Sequence, residues 1–319
     1  MIFIFSTLVA RKKHFGRTLE KPSGLCYNKL KRGGVNMKKE QINIRDPFII
    51  YENEKYYLYG TRARGFGRRT GGFDVYISED LNEWSEPIEC FNSEKYGLNS
   101  DANWAPEVHK YNGKYYMLAT FTQENGLRGT YSLCSDSPTG PFLPHSKGAL
   151  TPSEWECLDG TLYIDEAGVP YLIFCHEHTQ IIDGTVCFAM LNDSLTALKG
   201  EVTTLFCASS YAKVDATGGG HYVTDGPFIY RSKTGELFMI WSSFTKGNYA
   251  EFVLKFKNGR LGIEFEHLNP LIDNDGGHGM IFSDGKNTYF TYHTPNKSLL
   301  ERPEFRLIED NGDSINITI

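Results

Sequence analysis

Three aspartates in this chain share a local pattern that could support acid–base chemistry. Asp46 precedes a proline, Asp159 and Asp225 precede a glycine, and an apolar segment follows each of them. Two carboxyl groups in a concave site can hydrolyse a glycosidic bond, because one donates a proton to the leaving oxygen and the other activates a water molecule. A neighbouring negative charge or an apolar wall raises the pKa of one of them, which separates the two roles.

The aspartates belong to a repeated unit. Each copy has a short apolar strand, a turn rich in Gly, Asn, Asp or Lys, and a second strand rich in aromatic residues, which predicts a β-hairpin. A single Asp of this kind is usually a turn residue that caps nearby N–H groups, but three in register call for a shared role. The copies are DPFIIYENEKYYLYG from Asp46, APEVHKYNGKYYMLA from Ala105, DGTLYIDEAGVPYLIF from Asp159, DGPFIYRSKTGELFMIW from Asp225 and HGMIFSDGKNTYFTYH from His278.

The spacing of the copies predicts an all-β fold, a five-bladed β-propeller. The copies begin 59, 54, 66 and 53 residues apart, which leaves room for two more strands in each unit. About five four-stranded units arranged around an axis also remove exposed sheet edges. A β-sandwich with similar hairpins is the alternative, and the acid or His at the first position of most copies favours the propeller. The C-terminal segment FRLIEDNGDSINITI is predicted to complete the last blade or close the ring.

A propeller would bring the first positions of the copies together. The innermost strands run alongside the axis, so their equivalent ends converge at one mouth of the central channel. We therefore expect Asp46, Asp159, Asp225, His278 and the segment 104–107 to line one pocket.

Composition indicates the kind of partner. The formal net charge is −6, from 39 acidic and 33 basic residues that are interspersed. Neither nucleic acid nor a membrane is an obvious partner of such a chain, and a small oligosaccharide fits better. Seven cysteines without CxxC spacing are expected to be reduced core thiols. The opening MIFIFSTLVA is a poor signal peptide, so a cytoplasmic location is predicted.

Residues 1–40 are predicted to be an N-terminal extension, and residues 41–319 the propeller. The segment 11–39 is basic and has no hydrophobic period, and RGGVNM precedes Met37. We hypothesise that Met37 is the true start, because codons for Arg-Gly-Gly can spell a ribosome-binding site; an ordinary disordered tail is the alternative. Intact mass of the protein from its native host would decide between them.

The quoted segments, with NWAPEVHKYNGKYYM and GGHGMIF, resemble glycoside hydrolase family 43 over about residues 42–310. The resemblance implies a five-bladed propeller that cleaves arabinose and xylose linkages with inversion. It also implies that Asp46 is the general base and that Asp159 tunes pKa values and orients groups. The general acid of the family is a Glu that begins an EGP motif, and here Asp225, one methylene shorter, begins DGP.

The identity of the acid stays open at this point. Glu177, in the run FCHEHTQIIDGT, is a second candidate, and a polar residue at the rim of the pocket is its alternative role. Asp225 could still act in an inverting enzyme if the backbone or the substrate lies closer. A pocket that binds sugar without cleaving it is the third possibility.

Four further residues are candidates for binding the sugar. Trp104 could stack on a sugar ring or be a core residue. Glu107 and His109 lie two apart on one strand face, where they could bind hydroxyl groups or pair as structural residues. The resemblance places His278 at the axis below the catalytic centre, sometimes with a calcium ion bound through water; no cofactor is needed for the chemistry.

The sequence thus predicts an exo-acting α-L-arabinofuranosidase or β-xylosidase that acts on short plant-derived oligosaccharides. One alternative is a sugar-binding propeller that has lost its acid. The other is a glycoside phosphorylase or a fructan hydrolase of related fold. Phosphorolysis would need a cluster of Arg, Lys and His to hold phosphate, and no obvious cluster is visible in the sequence.

Overall fold

The hairpins form five antiparallel sheets in a computed structural model of the chain, which describes residues 36–63 and 71–318. Each sheet is one blade of a five-bladed propeller, so the predicted fold is confirmed. The proposed start at Met37 concerns residues 1–35, which lie outside the described part, and it stays a prediction.

Each blade is a meander of strands, with the hairpin strands innermost. Blade 1 contains β1 (Met37–Lys38), β2 (Ile44–Glu52), β3 (Lys55–Arg62), β4 (Gly72–Ser78), β5 (Glu83–Trp84) and β6 (Ile88–Asn92). Blade 2 contains β7 (Trp104–Tyr111), β8 (Lys114–Thr122), β9 (Arg128–Ser135) and β10 (Leu143–Pro144). Blade 3 contains β11 (Cys157–Ile164), β12 (Pro170–His176), β13 (Thr185–Met190) and β14 (Thr203–Cys207).

Blade 4 contains β15 (Asp225–Arg231), β16 (Leu237–Thr245), β17 (Asn248–Phe256) and β18 (Phe265–His267). Blade 5 contains β19 (Gly277–Ser283), β20 (Thr288–Thr294), β21 (Arg302–Asp310) and β22 (Ile315–Ile317), so the C-terminal segment completes the last blade. The α-helix α1 (His178–Ile181) lies between β12 and β13. Within the described residues, no helix is long and apolar enough to cross a membrane.

Every innermost strand carries a β-bulge near its N-terminal end. The pairing register shifts there in β2, β7, β11, β15 and β19, and the bulged residue has a left-handed backbone. A bulge bends its strand and re-aims a side chain, so the repeated bulge places one residue of each blade in an equivalent position. These residues are Asp46 (φ 53°), Ala105 (φ 44°), Asp159 (φ 55°), Gly226 (φ 49°) and His278 (φ 50°).

In the fourth copy the bulge falls one residue later than the sequence alignment, which was made on Asp225, had assumed. The structural equivalent of Asp46 is Gly226, and Asp225 corresponds to Arg45, the residue before the bulge. A side chain at position 226 would collide with the ring of His278, since an added Cβ would lie 2.6 Å from its Cδ2. Asp225 therefore enters the central region from a different backbone position than Asp46 and Asp159.

Hydrogen bonds from the bulges join neighbouring blades. In four of the five junctions, the backbone N–H of the bulged residue donates to a polar side chain on the second strand of the preceding blade. The bonds run from Ala105 to Thr61 Oγ1 (2.7 Å), from Asp159 to Thr120 Oγ1 (3.1 Å), from His278 to Ser242 Oγ (2.6 Å) and from Asp46 to His293 Nδ1 (3.2 Å).

The bond to His293 closes the ring between blades 5 and 1. His293 is fully buried, and burial together with the nearby charge of Arg45 lowers its pKa to about 3. Its ring is therefore neutral at ordinary pH, so Nδ1 can accept the bond from Asp46. Lys39 adds an ion pair with Glu304 (2.6 Å) across the same junction.

The N-terminal strand and the cysteines bear on two predictions made from the sequence. Met37 and Lys38 form β1, which pairs with β5 in blade 1, so the propeller begins before the predicted boundary at residue 41. The six cysteines in the described residues are free thiols: Cys90, Cys134, Cys157, Cys175, Cys187 and Cys207.

Candidate active site

A cavity of about 380 Å³ opens where the five innermost strands begin. It brings together six of the eight side chains that the sequence singled out. Carboxyl groups, an indole and an imidazole share its wall, and each blade contributes at least one of them. The six residues are Asp46, Trp104, Asp159, Glu177, Asp225 and His278.

Asp46 is buried among cations and a hydroxyl donor. Thr61 donates a hydrogen bond of 2.6 Å to Oδ2, and Nδ1 of His278 lies 3.3 Å from Oδ1. Burial by itself raises the pKa of Asp46, but the charges of His278 and Arg45 outweigh it and hold that pKa below the ordinary value. Asp46 is thus an ionised carboxylate, which is the state of a general base.

Asp159 is also buried, but its surroundings favour the protonated form. Its Oδ2 accepts the backbone N–H of Gly226 at 3.1 Å and lies 3.8 Å from Nδ1 of His278. Burial, with the charges of Asp225 and Asp46, raises the pKa of Asp159 to about 8 despite the opposing charge of His278. One buried carboxyl thus carries a proton at neutral pH beside an ionised one.

Asp225 lines the cavity and is oriented by Tyr249. The Tyr249 hydroxyl donates a 3.0 Å hydrogen bond to Oδ2 of Asp225. Burial and the charge of Glu177 raise the pKa of Asp225, although His278 and Tyr249 oppose the shift. Since Oδ2 accepts from Tyr249, a proton on Asp225 belongs on Oδ1.

Glu177 is held in the wall by Arg128. The Arg128 guanidinium donates to Oε2 of Glu177 at 3.0 Å, forms a second ion pair with Glu156, and lies over the ring of Trp104 at 4.9 Å. Burial raises the pKa of Glu177 and the charge of Arg128 offsets part of the shift. Glu177 is therefore tied by an ion pair, whereas no ion pair among the described residues holds Oδ1 of Asp225. One face of the Trp104 ring is covered by Arg128, and the residue lines the cavity.

His278 is the central cation of the cavity. Burial lowers its pKa, and the four surrounding carboxyl groups, with Asp46 the strongest, reverse the effect and raise the pKa to about 9. The imidazolium therefore balances the charge of Asp46 at neutral pH.

Glu107 and His109 do not line the cavity, so the expectation that they contact sugar is not supported. Oε2 of Glu107 lies 2.9 Å from Nε2 of His109, and the His109 ring packs 5.1 Å from that of Phe48. Phe48 in turn contacts Phe228 of blade 4 at 6.0 Å. Side chains from three blades thus fill the axis below the cavity, because a strand advances about 3.3 Å per residue beyond its bulge.

A possible calcium ion near His278 remains a prediction. In the described part of the chain, no three His, Cys, Asp or Glu side chains are arranged to hold a metal ion. Nδ1 of His278 faces Asp46 and Asp159, and Gly226 packs against the other edge of the ring. These residues do not present a ligand set for a cation, and no step proposed below uses one.

The sequence did not predict the residues that hold the backbone of His278 in place. Ser242 accepts the His278 N–H and donates to Oε2 of the fully buried Glu251 (2.8 Å), which also accepts the N–H of Gly279 (3.0 Å). Burial raises the pKa of Glu251 to about 7. A recurring Thr, Ser or His on the second strand, 15 or 16 residues after four of the five bulges, is the pattern that would have pointed to Ser242; blade 3 has Cys175 at this place.

We expect Ser242→Ala to lower the free energy of unfolding by about 1–3 kcal/mol, because it leaves buried polar groups of His278 and Glu251 without their partner. Ser132→Ala is the matched control, since the buried hydroxyl of Ser132 has no hydrogen-bond partner among the residues that the structure describes. Urea unfolding of both variants measures the difference. Equal losses would contradict a bracing role for Ser242.

The family described as Glycosyl hydrolases family 43 matches residues 41–307. The chain belongs to glycoside hydrolase family 43. The family prediction from sequence is thereby confirmed, and members of the family are glycosidases.

Among solved structures, an endo-arabinase from Bacteroides thetaiotaomicron VPI-5482 is 37% identical to this family 43 chain. It superposes with a TM-score of 0.79, and the match covers 87% of this chain and 98% of that one. A thermostable family-43 glycoside hydrolase is 23% identical, with a TM-score of 0.75 over 90% and 94% of the two chains, and shows the fold alone.

Two characterised relatives match over a shorter stretch. An extracellular endo-alpha-(1->5)-L-arabinanase 1 of Bacillus subtilis (strain 168) is 24% identical over 144 residues, which are 41% of this chain and 42% of that protein. A xylosidase/arabinosidase 43A of Humicola insolens is 25% identical over 144 residues, 40% and 42% of the respective chains. The match thus spans less than half the length of either relative.

Proposed function

We propose that this family 43 protein is an inverting glycoside hydrolase that releases arabinose from short α-L-arabino-oligosaccharides. The observation that carries the proposal is the pair of opposite pKa shifts inside one cavity. Asp46 is held ionised, and Asp225 is shifted toward the protonated form. A base and an acid in those states are what inverting hydrolysis requires.

In the proposed reaction, Asp46 takes a proton from a water molecule as the water oxygen bonds to the anomeric carbon. The bond from that carbon to the leaving oxygen breaks, and Asp225 transfers its Oδ1 proton to this oxygen. Tyr249 keeps Oδ2 as an acceptor, which fixes the direction of the transfer. Asp159 and the His278 imidazolium set the charge of the site.

The arabinose specificity is proposed from the 37% identical structure, which is described as an endo-arabinase. A β-xylosidase is the nearest alternative, since the relative from Humicola insolens is named for both sugars. A cavity near the lower end of the usual range for small-molecule sites supports a short substrate, and with it the exo action that we propose.

The proposal can be tested by measuring the rate of hydrolysis of aryl α-L-arabinofuranoside, aryl β-xyloside and linear α-1,5-arabino-oligosaccharides. We expect monomeric arabinose as the first product, and NMR of the first-formed anomer should show inversion. Early release of oligosaccharides would replace exo with endo action. Binding without turnover by the wild type would favour the sugar-binding alternative.

Phosphorolysis is disfavoured because the cations in the cavity wall are already paired. Arg45 bonds Glu301 (3.0 Å), Arg128 bonds Glu156 and Glu177, and His278 faces Asp46. A phosphate ion would compete with carboxylates for each of them. Turnover that does not depend on phosphate is therefore expected.

We also propose a cytoplasmic location. The six free thiols of the described residues suit a reducing compartment, and fractionation of the native host would test it.

A further inference from the structure

Ile182, directly after α1, has an unusual backbone for its residue type. Its φ is 68° and its ψ is −54°, and the N–H of Asp183 donates to the carbonyl of Ile181 at 2.8 Å. This is a classic γ-turn, which is rare and strained. A β-branched residue at positive φ is an outlier, and such strain persists only where the surrounding structure imposes it.

The flanking segments do impose it. The N–H of Ile182 donates to the carbonyl of His178 (2.8 Å), and its carbonyl accepts the N–H of Tyr222 (2.9 Å). Asp183 forms a β-bridge with Tyr222 and accepts both the N–H and the hydroxyl of Ser209. The turn therefore cannot relax without breaking bonds on both sides.

The strained turn presents an apolar side chain to solvent. Ile182 is 59% exposed, so burial in the core does not offset the strain. Ile182 is not itself part of the cavity wall, but it is hydrogen-bonded to His178 and to Tyr222. His178 and Val223, the residue after Tyr222, do line the wall, so the turn is joined to it on both sides. Val223 lies two residues before Asp225. Because Asp225 is the proposed acid, this part of the wall faces the leaving group.

We propose that Ile182 is a specificity residue that contacts the apolar face of the sugar unit on the leaving-group side of the scissile bond. This inference rests on the proposed function. The expected ligand is the second sugar of an oligosaccharide, because the first occupies the cavity between Asp46 and Asp225. Contact with the C–H groups of that sugar would bury the exposed Ile182 side chain.

Kinetics on two substrates test the contact. For Ile182→Ala and Ile182→Gly, we expect KM for arabinotriose to rise about three- to tenfold with kcat within twofold. Methyl arabinofuranoside has no second sugar, so its kinetics should not change. Ile182→Leu should keep KM within twofold of the wild type. Ile263→Ala is the matched control, since Ile263 is an exposed isoleucine (67%) just before β18, the outermost strand of blade 4.

Thermal unfolding of the same variants tests the strain. Alanine is ordinarily more stable than glycine, but at a positive φ the order reverses. We expect the Tm of Ile182→Gly to exceed that of Ile182→Ala by about 2 °C or more. The reverse order would contradict the γ-turn.

The outcomes separate this inference from the proposed function. If the wild type cleaves arabinotriose and both truncations leave KM unchanged, the contact is wrong and the function stands. If the wild type cleaves neither substrate, the proposed function fails, and the inference fails with it.

Discussion

Asp46→Asn is expected to lower kcat by about 10³-fold or more, because an amide cannot take a proton from the attacking water. The substitution keeps the size of the side chain and an oxygen that can accept from Thr61. Steady-state kinetics on an arabino-oligosaccharide measure the loss. A residual kcat within tenfold of the wild type would exclude Asp46 as the base.

The backbone offers a second variant at this position. Since Asp46 has φ 53°, Asp46→Gly suits the left-handed conformation and opens space for a small anion. We expect azide to restore part of its activity by attacking the anomeric carbon directly, with a glycosyl azide as product. An inactive variant that azide does not restore, but that retains substrate binding, would point to an orienting role instead.

The wild-type pH profile is expected to reflect the same assignment. The pKa of Asp46 is lowered, so the base stays ionised and activity should persist below the ordinary titration range of Asp. The pKa of Asp225 is raised, so activity should fall only as pH rises above that range and the acid loses its proton.

Asp225→Asn is expected to lower kcat/KM on unactivated oligosaccharides by about 10²–10⁴-fold. An aryl glycoside with a good leaving group needs little protonation, so its hydrolysis should fall much less. The comparison of the two substrates identifies the proton donor. Asp225→Glu restores the methylene of the family motif, and we expect it to stay within about tenfold of the wild type.

Glu177→Gln is the matched variant for the second candidate acid. Removing its charge takes away a contribution that raises the pKa of Asp225, so the alkaline limb of the profile should move to lower pH. The leaving-group dependence should stay that of the wild type. If Glu177→Gln instead shows the strong leaving-group dependence and Asp225→Asn does not, Glu177 is the acid.

Local sequence patterns were sufficient for the fold and for most of the cavity wall. Hairpin signals, their spacing and the leading Asp or His predicted five blades, and the convergence of inner strands predicted that Asp46, Asp159, Asp225 and His278 meet. The pattern failed by one residue in the fourth copy, because Asp-Gly there resembles the Asp-Gly of blade 3 although the bulge falls on Gly226.

The residues that hold the two candidate acids, Asp225 and Glu177, could not be predicted from the sequence. Tyr249 and Arg128 lie on the third strands of blades 4 and 2, where nothing in the local pattern shows which side chain reaches the axis. For Glu107 and His109, alternation showed that the two side chains share a strand face, which allowed either sugar binding or a structural pair, but not how far below the mouth they lie.

The sequence alone determined the number of blades, the family and the carboxyl groups that meet at the axis, since these follow from short-range patterns repeated along the chain. Only the tertiary structure decided which carboxyl is ionised, which is protonated and which is tied to an arginine. Protonation depends on burial and on charges a few ångströms away, and those neighbours come from blades far apart in sequence.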